Sequence, residues 1–247
     1  MRIQKIVVLL AIVLSCALTG IAQNRPKLTL DEFFNSVSFP ELEISPDGHS
    51  VIIVTDRADW DQKIFRKDLW LYHDDGKTGS LIQLTQSGHD SEPKWSPDGK
   101  WIAFLSERKL QTSSEDSGSD SDADSKGEPA QVYLISPSGG EAFAVTQGEE
   151  EVHTFTWSAD SQTIYFAARQ PWSKQQKDDY KKQWKDVVQY RTAERGDTLF
   201  ALDLSQALAR HSAAPASAKK KDKDKDADKQ PDLTPGARAI ATSPLRI

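Results

Sequence analysis

Ser96-Pro97-Asp98-Gly99, followed by Lys100-Trp101-Ile102-Ala103-Phe104-Leu105, is the stretch on which the fold turns. The same turn occurs earlier as Ser45-Pro46-Asp47-Gly48 and later, degraded, as Ser158-Ala159-Asp160-Ser161. Proline presets φ at the first central position of a turn. Aspartate tolerates the second and can accept backbone N–H bonds, and glycine supplies the positive φ that closes it. Each copy is therefore expected to be a tight hairpin, here read as a three-residue loop with a bulge. Gly88, in a connection that reads as a looser turn, is expected to be more replaceable than Gly99.

The flanks repeat as well. Leu42-Glu43-Ile44, Pro93-Lys94-Trp95 and Phe155-Thr156-Trp157 precede the three turns, and Val51-Ile52-Ile53-Val54, Trp101 to Leu105 and Ile164-Tyr165-Phe166-Ala167 follow them. A third strand signal comes next: Leu69-Trp70-Leu71-Tyr72, Val132-Tyr133-Leu134-Ile135 and Leu199-Phe200-Ala201-Leu202. A fourth occurs twice, as Leu81-Ile82-Gln83-Leu84-Thr85 and Ala142-Phe143-Ala144-Val145-Thr146, and the next Ser-x-Asp turn begins eleven and twelve residues later. A four-stranded unit repeated about every fifty residues is the pattern of a β-propeller blade. A sandwich has no reason to repeat one turn at a fixed place in each unit.

The expected class is thus all-β, a β-propeller of four-stranded blades. About three blades are legible, over 41–85, 92–146 and 152–235 within a partial propeller domain 28–247, so the ring is incomplete. Pro231-Asp232-Leu233-Thr234 reads as the fourth strand of the third blade, and Ala239-Ile240-Ala241 as the start of another. Two polar tracts, 111–128 and 212–230, read as disordered insertions; within the second, Lys219 to Lys229 mixes six lysines with four aspartates. Residues 173–190 read as a helix. Ser173 and Gln176 form its capping pair, and Tyr180, Trp184, Val187 and Val188 its apolar stripe, packed on the propeller rim.

Residues 1–22 read as a secretory signal: Arg2 and Lys5, then the apolar run Ile6 to Leu14, then Gly20-Ile21-Ala22 with cleavage after Ala22. The run is short for a membrane span of about 30 Å. Val13-Leu14-Ser15-Cys16 also resembles a lipoprotein box, although Leu14 stands where a small residue is usual. The expected address is the periplasm or the medium, with no membrane span after cleavage. Cys16 is the one cysteine, which excludes an intramolecular disulfide or a zinc site built on several thiolates. The 247 residues carry 31 Lys plus Arg against 37 Asp plus Glu, and loss of Arg2 and Lys5 moves the net charge from −6 to −8. That balance argues against nucleic acid as a partner.

The turn repeats, with Trp95 to Phe104 and the segment Asp178 to Leu204, resemble the TolB-like propellers and the N-terminal propeller of prolyl oligopeptidase-type (S9) serine peptidases. Acylaminoacyl and dipeptidyl peptidases belong to the second group, and the charged helix leading through Arg195-Gly196-Asp197 into Thr198 to Leu204 favours it. The resemblance covers Leu28 to Leu208. It implies a ring of about seven blades that gates peptide substrates to an α/β-hydrolase domain following it in the chain. No Gly-x-Ser-x-Gly nucleophile elbow occurs in the 247 residues, so no catalytic residue carries over. The expectation is a non-catalytic segment, a fragment or truncated frame, whose role in the complete protein is substrate gating; the alternative is a TolB-like periplasmic scaffold that docks a protein partner.

Other constellations read as structural. Asp120, Asp122 and Asp124 have the opening spacing of a calcium loop, but Ser125 and Gln131 stand where that loop needs glycine and glutamate. Glu149-Glu150-Glu151 lies in a turn between blades, unlike the helical glutamate pair that holds a substrate amine in dipeptidyl peptidases. His153 is expected on one strand face with Phe155 and Trp157, buried and hydrogen-bonded. His49, His73, His89 and His211 are scattered in turns and loops. No catalytic, cofactor-binding or metal residue is assigned.

Overall fold

The computed structural model describes residues 27–108, 128–170, 173–184, 196–213 and 234–242. Strands β1 (Ser38–Ile44), β2 (Ser50–Asp59), β3 (Ile64–His73) and β4 (Ser80–Gln83) form the first sheet. The second holds β5 (Asp90–Trp95), β6 (Ile102–Ser106), β7 (Gln131–Ile135) and β8 (Phe143–Ala144). The third holds β9 (Val152–Trp157), β10 (Thr163–Arg169), β11 (Asp197–Asp203) and β12 (Arg238–Thr242). Every sheet is antiparallel with its strands in chain order, as a propeller blade requires. One assignment changes. The fourth strand of blade three is Arg238–Thr242, which pairs with β11, so Ala239 to Ala241 complete that blade and do not open another. Residues 231–233 lie outside the described residues, and Thr234 stands before a turn. The pattern of blades one and two supports the change, since Thr85, Thr146 and Thr242 each close a fourth-strand segment.

The three hairpins share one hydrogen-bond scheme. In the first, the Ser45 hydroxyl donates to Asp47 Oδ1 (2.5 Å) and accepts from Ser50 N–H (2.9 Å), while Asp47 Oδ1 also accepts from His49 N–H (3.0 Å). Ser96, Asp98, Lys100 and Trp101 repeat the scheme, as do Ser158, Asp160, Gln162 and Thr163. Ser45 N–H donates to Ser50 O, so four residues, Pro46 to His49, form the loop. The expected three-residue loop with a bulge is therefore corrected. The serine hydroxyl takes the N–H that a strand carbonyl would have taken, and this leaves Ser45 O for Gly48 N–H. Gly48 and Gly99 lie at φ +76° and +70°, and in the degraded copy Ser161 holds the same conformation at +62°. Ser161 uses that position to tie the turns together, because its Oγ accepts from Asp98 N–H (3.0 Å).

Alternation along the strands gives each blade two apolar faces, and blades stack through them. Ile52, Val54, Leu69 and Leu71 of blade one pack against Ile102, Phe104, Tyr133 and Ile135 of blade two. Blade two turns Ala103, Leu105, Val132 and Leu134 to Ile164, Phe166, Phe200 and Leu202 of blade three. Buried threonines seal the fourth-strand edges: Thr85 Oγ1 accepts from Leu69 N–H (2.9 Å) and Thr146 Oγ1 from Val132 N–H (2.8 Å). Two tryptophans link the first strands, Trp95 Nε1 donating to Glu43 O (3.4 Å) and Trp157 Nε1 to Lys94 O (3.2 Å).

Among the described residues three helices accompany the strands. α1 (Leu30–Phe34) lies in a separate N-terminal unit and opens with a Thr29–Glu32 capping box. α2 (Lys174–Trp184) begins at the expected Ser173–Gln176 pair, in which each backbone N–H donates to the other side chain (2.8 and 3.2 Å). Val187 and Val188 lie outside the described residues. α3 (Leu204–Ala213) is a helix that the strand pattern did not announce; Asp203 caps it, accepting from the Ser205 hydroxyl and from Gln206 N–H. Among the described residues no helix is long and apolar enough to cross a membrane. The leader 1–22, with Cys16, and most of the tracts 111–128 and 212–230 also lie outside them.

Candidate functional site

The strand register divides the blades into two rims. One carries the Ser-x-Asp turns and the start of α3. There Asp98, Lys100, Trp101, Asp160, Ser161 and Asp203 line an open cleft of about 380 Å³. The carboxyls of Asp47 and Asp160 are held below the usual carboxylate range, first by the serine hydroxyl and then by a backbone N–H. Asp98 is lowered mainly by Ser96, with Lys100 adding to it, and its Oδ2 lies 3.0 Å from Lys100 Nζ. Asp203 is lowered by Ser205 and then Gln206.

These shifts predict an acid dependence. A carboxyl lowered in the folded state contributes stability above its unfolded value, about 3.9, and that contribution disappears as pH falls through the folded value. Denaturant midpoints are expected to hold constant from pH 7 to about 5 and to fall below about 4. An Asp98→Ala variant should lose less on acidification than the parent chain. Identical acid profiles for the two would remove Asp98 from the account.

The opposite rim carries the buried charges. Asp90 is fully buried; its Oδ1 accepts from Arg108 Nη2 (2.6 Å), while its Oδ2 has no hydrogen-bond partner. The Arg108 guanidinium also lies 4.8 Å from the centre of the Tyr133 ring and 5.4 Å from that of Phe104. Burial pushes the Tyr133 phenol up. In blade one, Arg66 lies between Asp59 (3.7 Å) and Asp68 (3.8 Å) and donates to Gln86 O (2.7 Å). Asp68 Oδ1 accepts from Gly88 N–H (2.8 Å), and Gly88 O accepts from Lys67 N–H. Both arginines thus pin the entry of a blade to its neighbour strands.

His153 stands on this rim but departs from the expected geometry. A register shift at Ala167/Ala168 places it in a bulge, so Val152 joins Phe155 on the buried face. The His153 side chain is 27% exposed, 3.7 Å from Glu151 and 3.6 Å from Asp197, and its Nε2 makes no hydrogen bond. Two other histidines make side-chain contacts, His73 in a strand and His211 in a helix and neither in a loop. His73 Nδ1 meets Ser50 Oγ at 2.9 Å across β2 and β3, and the His211 ring stacks on Phe143 at 3.9 Å. Ser50–His73 is a serine–histidine contact, but Ser50 lies in a regular strand and is not raised on a strand-to-helix elbow. Glu149 and Glu150 fall in the turn between β8 and β9, whereas Asp120, Asp122 and Asp124 lie outside the described residues. Among the described residues no group of three or more His, Cys, Asp or Glu is placed to hold a metal ion.

The fold and its rims define a β-propeller arc of three four-stranded antiparallel blades. No protein-family profile matches the chain. Over 138 residues it is 29% identical to the uncharacterized peptidase YuxL of Bacillus subtilis (strain 168), a match covering 56% of this chain and 18% of that protein. Among solved structures it is similar to the AtxE2 isopeptidase, with a TM-score of 0.53 and 17% identity over 77% of this chain and 34% of that one. It is also similar to the acylaminoacyl peptidase of Pyrococcus horikoshii, with a TM-score of 0.47 and 13% identity over 71% of this chain and 24% of that one. The chain thus spans under a fifth of the length of YuxL, about a third of the isopeptidase and about a quarter of the acylaminoacyl peptidase.

Proposed function

We propose that this chain is a propeller segment of an exported S9-type serine peptidase, one that gates peptide access to an α/β-hydrolase domain and performs no hydrolysis itself. The observation that carries the reading is the 138-residue similarity to a peptidase, joined to four-stranded blades of the kind that the isopeptidase structure shares. The blades supply rigid rims and no reacting group. Their charged side chains are engaged in turns and blade entries, as with Asp98 and Arg108. Access control of this kind needs shape and rigidity, which stacked sheets provide, and no proton transfer.

Two measurements test the proposal. The purified chain is expected to hydrolyse neither peptide nor ester substrates and to take no fluorophosphonate label. Labelling at any serine, Ser50 included, would overturn the non-catalytic reading. Coding DNA beyond the Ile247 codon is expected to encode a Gly-x-Ser-x-Gly elbow. Its absence over several hundred codons would favour a free-standing TolB-like scaffold instead.

A further inference from the structure

The turn rim gathers three carboxylates that stand far apart in the chain. Asp98 lies in the turn between β5 and β6, Asp160 in the turn between β9 and β10, and Asp203 at the end of β11, where it caps α3. All three line the cleft of about 380 Å³, together with the half-buried side chains of Trp101, Leu204 and Leu208. The cleft is therefore built by blades two and three and helix α3, at a junction that closes within the chain. Its apolar wall is braced from behind. Trp101 meets Phe143 edge-on at 5.9 Å, Phe143 stacks on His211 of α3 at 3.9 Å, and Trp101, Phe143 and Leu204 all pack on the core shared by the two blades.

We infer that this cleft seats an arginine or lysine side chain of a peptide segment, its stem along Trp101, Leu204 and Leu208 and its charged head paired with Asp160 and Asp203. The occupant follows from charge complementarity. The serine hydroxyls hold all three carboxyls below the usual range, so they are ionised wherever arginine and lysine are cationic. The turn and cap bonds of Asp160 and Asp203 use Oδ1, and among the described residues no basic side chain lies within ion-pair distance of either. The chain itself shows the contact in miniature, because Asp98 Oδ2 lies 3.0 Å from the ammonium of Lys100. Among the described residues no three carboxylates or histidines are placed to share a metal ion. Separated negative charges beside an aromatic and aliphatic wall fit a cation carried on an apolar stem, which buries its methylenes and keeps its head at the rim. This inference concerns the turn rim and is independent of the peptidase reading.

Calorimetric titration of the full chain, expressed for export, tests it with the acetylated and amidated pentapeptide Ala-Leu-Arg-Leu-Ala. The arginine peptide should bind. Its citrulline counterpart, which keeps the stem and loses the charge, should bind about tenfold more weakly. Asp160→Asn and Asp203→Asn should each weaken binding about two- to fivefold and reduce its salt dependence. Asparagine can still make the turn and cap bonds, so both variants should retain the β-sheet circular dichroism. Asp47→Asn is the control, because it makes the same change in the same turn of blade one, outside the cleft, and should leave the affinity unchanged. Equal affinity for the arginine and citrulline peptides would overturn the inference, as would no binding at millimolar peptide. A loss from Asp47→Asn as large as that from Asp160→Asn would overturn it too, since the effect would then belong to overall charge. So would binding that appears only after the six lysines within Lys219 to Lys229 are replaced by glutamine, which would make the chain's own tract the occupant.

Discussion

Replacing Phe104 by alanine is expected to lower the unfolding free energy by about 3–5 kcal/mol. Phe104 is fully buried between blades one and two, stacked on Tyr133 at 5.9 Å and facing the Arg108 guanidinium at 5.4 Å. Truncation removes the ring's own burial and leaves a cavity between two sheets whose strands are pinned by their ladders and cannot close on it. It also strips one aromatic surface from a charge pair that is already short of partners at Asp90 Oδ2. The control is Phe65→Ala, at a side chain 73% exposed on the outer part of β3, which should change stability by less than about 0.5 kcal/mol. Urea titrations with unchanged slope would measure both. Similar midpoint losses for the two variants would mean that the blade-one to blade-two junction is not the stability centre described above.

The second large effect is at a glycine. Gly88→Val is expected to destabilise more than Gly99→Val, by about 1–3 kcal/mol of added steric cost. Both glycines lie at positive φ, +78° and +70°, where a β-branched residue is strained by roughly 1–2 kcal/mol. They differ in surroundings. A Cβ at Gly99 meets nothing within 4 Å, whereas one at Gly88 comes to 3.1–3.2 Å of the Arg66 side chain. Arg66 cannot yield easily, since it is held by Asp59, Asp68 and Gln86, and Gly88 itself donates to buried Asp68. The sequence ranks the two glycines the other way, because only Gly99 sits in a recognisable turn motif. Denaturant midpoints of the two variants decide it, and a larger loss at Gly99 would restore the sequence ranking.

These two cases mark where local reading succeeds and where it stops. Period-two alternation announced the strands on either side of each turn, and the Ser-x-Asp turn announced the hairpins, because both signals arise between residues close in the chain. The same logic found the α2 cap at Ser173 and Gln176. It misplaced the fourth strand of blade three, where an uninterrupted β-rich run was not available and residues 231–234 offered a plausible substitute. It also misjudged His153, since a bulge shifts the alternation by one residue and leaves no mark in the residues themselves. Helix α3 carried a signal in Asp203 and Gln206, but the β-rich run Thr198 to Leu204 extends across that cap and masks it.

By itself, the sequence determined the blade as a unit: four strands, one repeated hairpin and a positive-φ position at its end. Those features depend on residues within a few positions of one another, and their physical causes are backbone sterics and side-chain capping of nearby N–H groups. Only the tertiary structure decided which faces of the blades meet, why a side chain at Gly88 would crowd Arg66, and how Arg66 and Arg108 tie blade entries together. Each of these is set by groups far apart in the chain, such as Gly88 with Asp68 or Asp98 with Ser161. Burial and polar satisfaction at such contacts are properties of the packed sheets, and no window along the chain contains both partners.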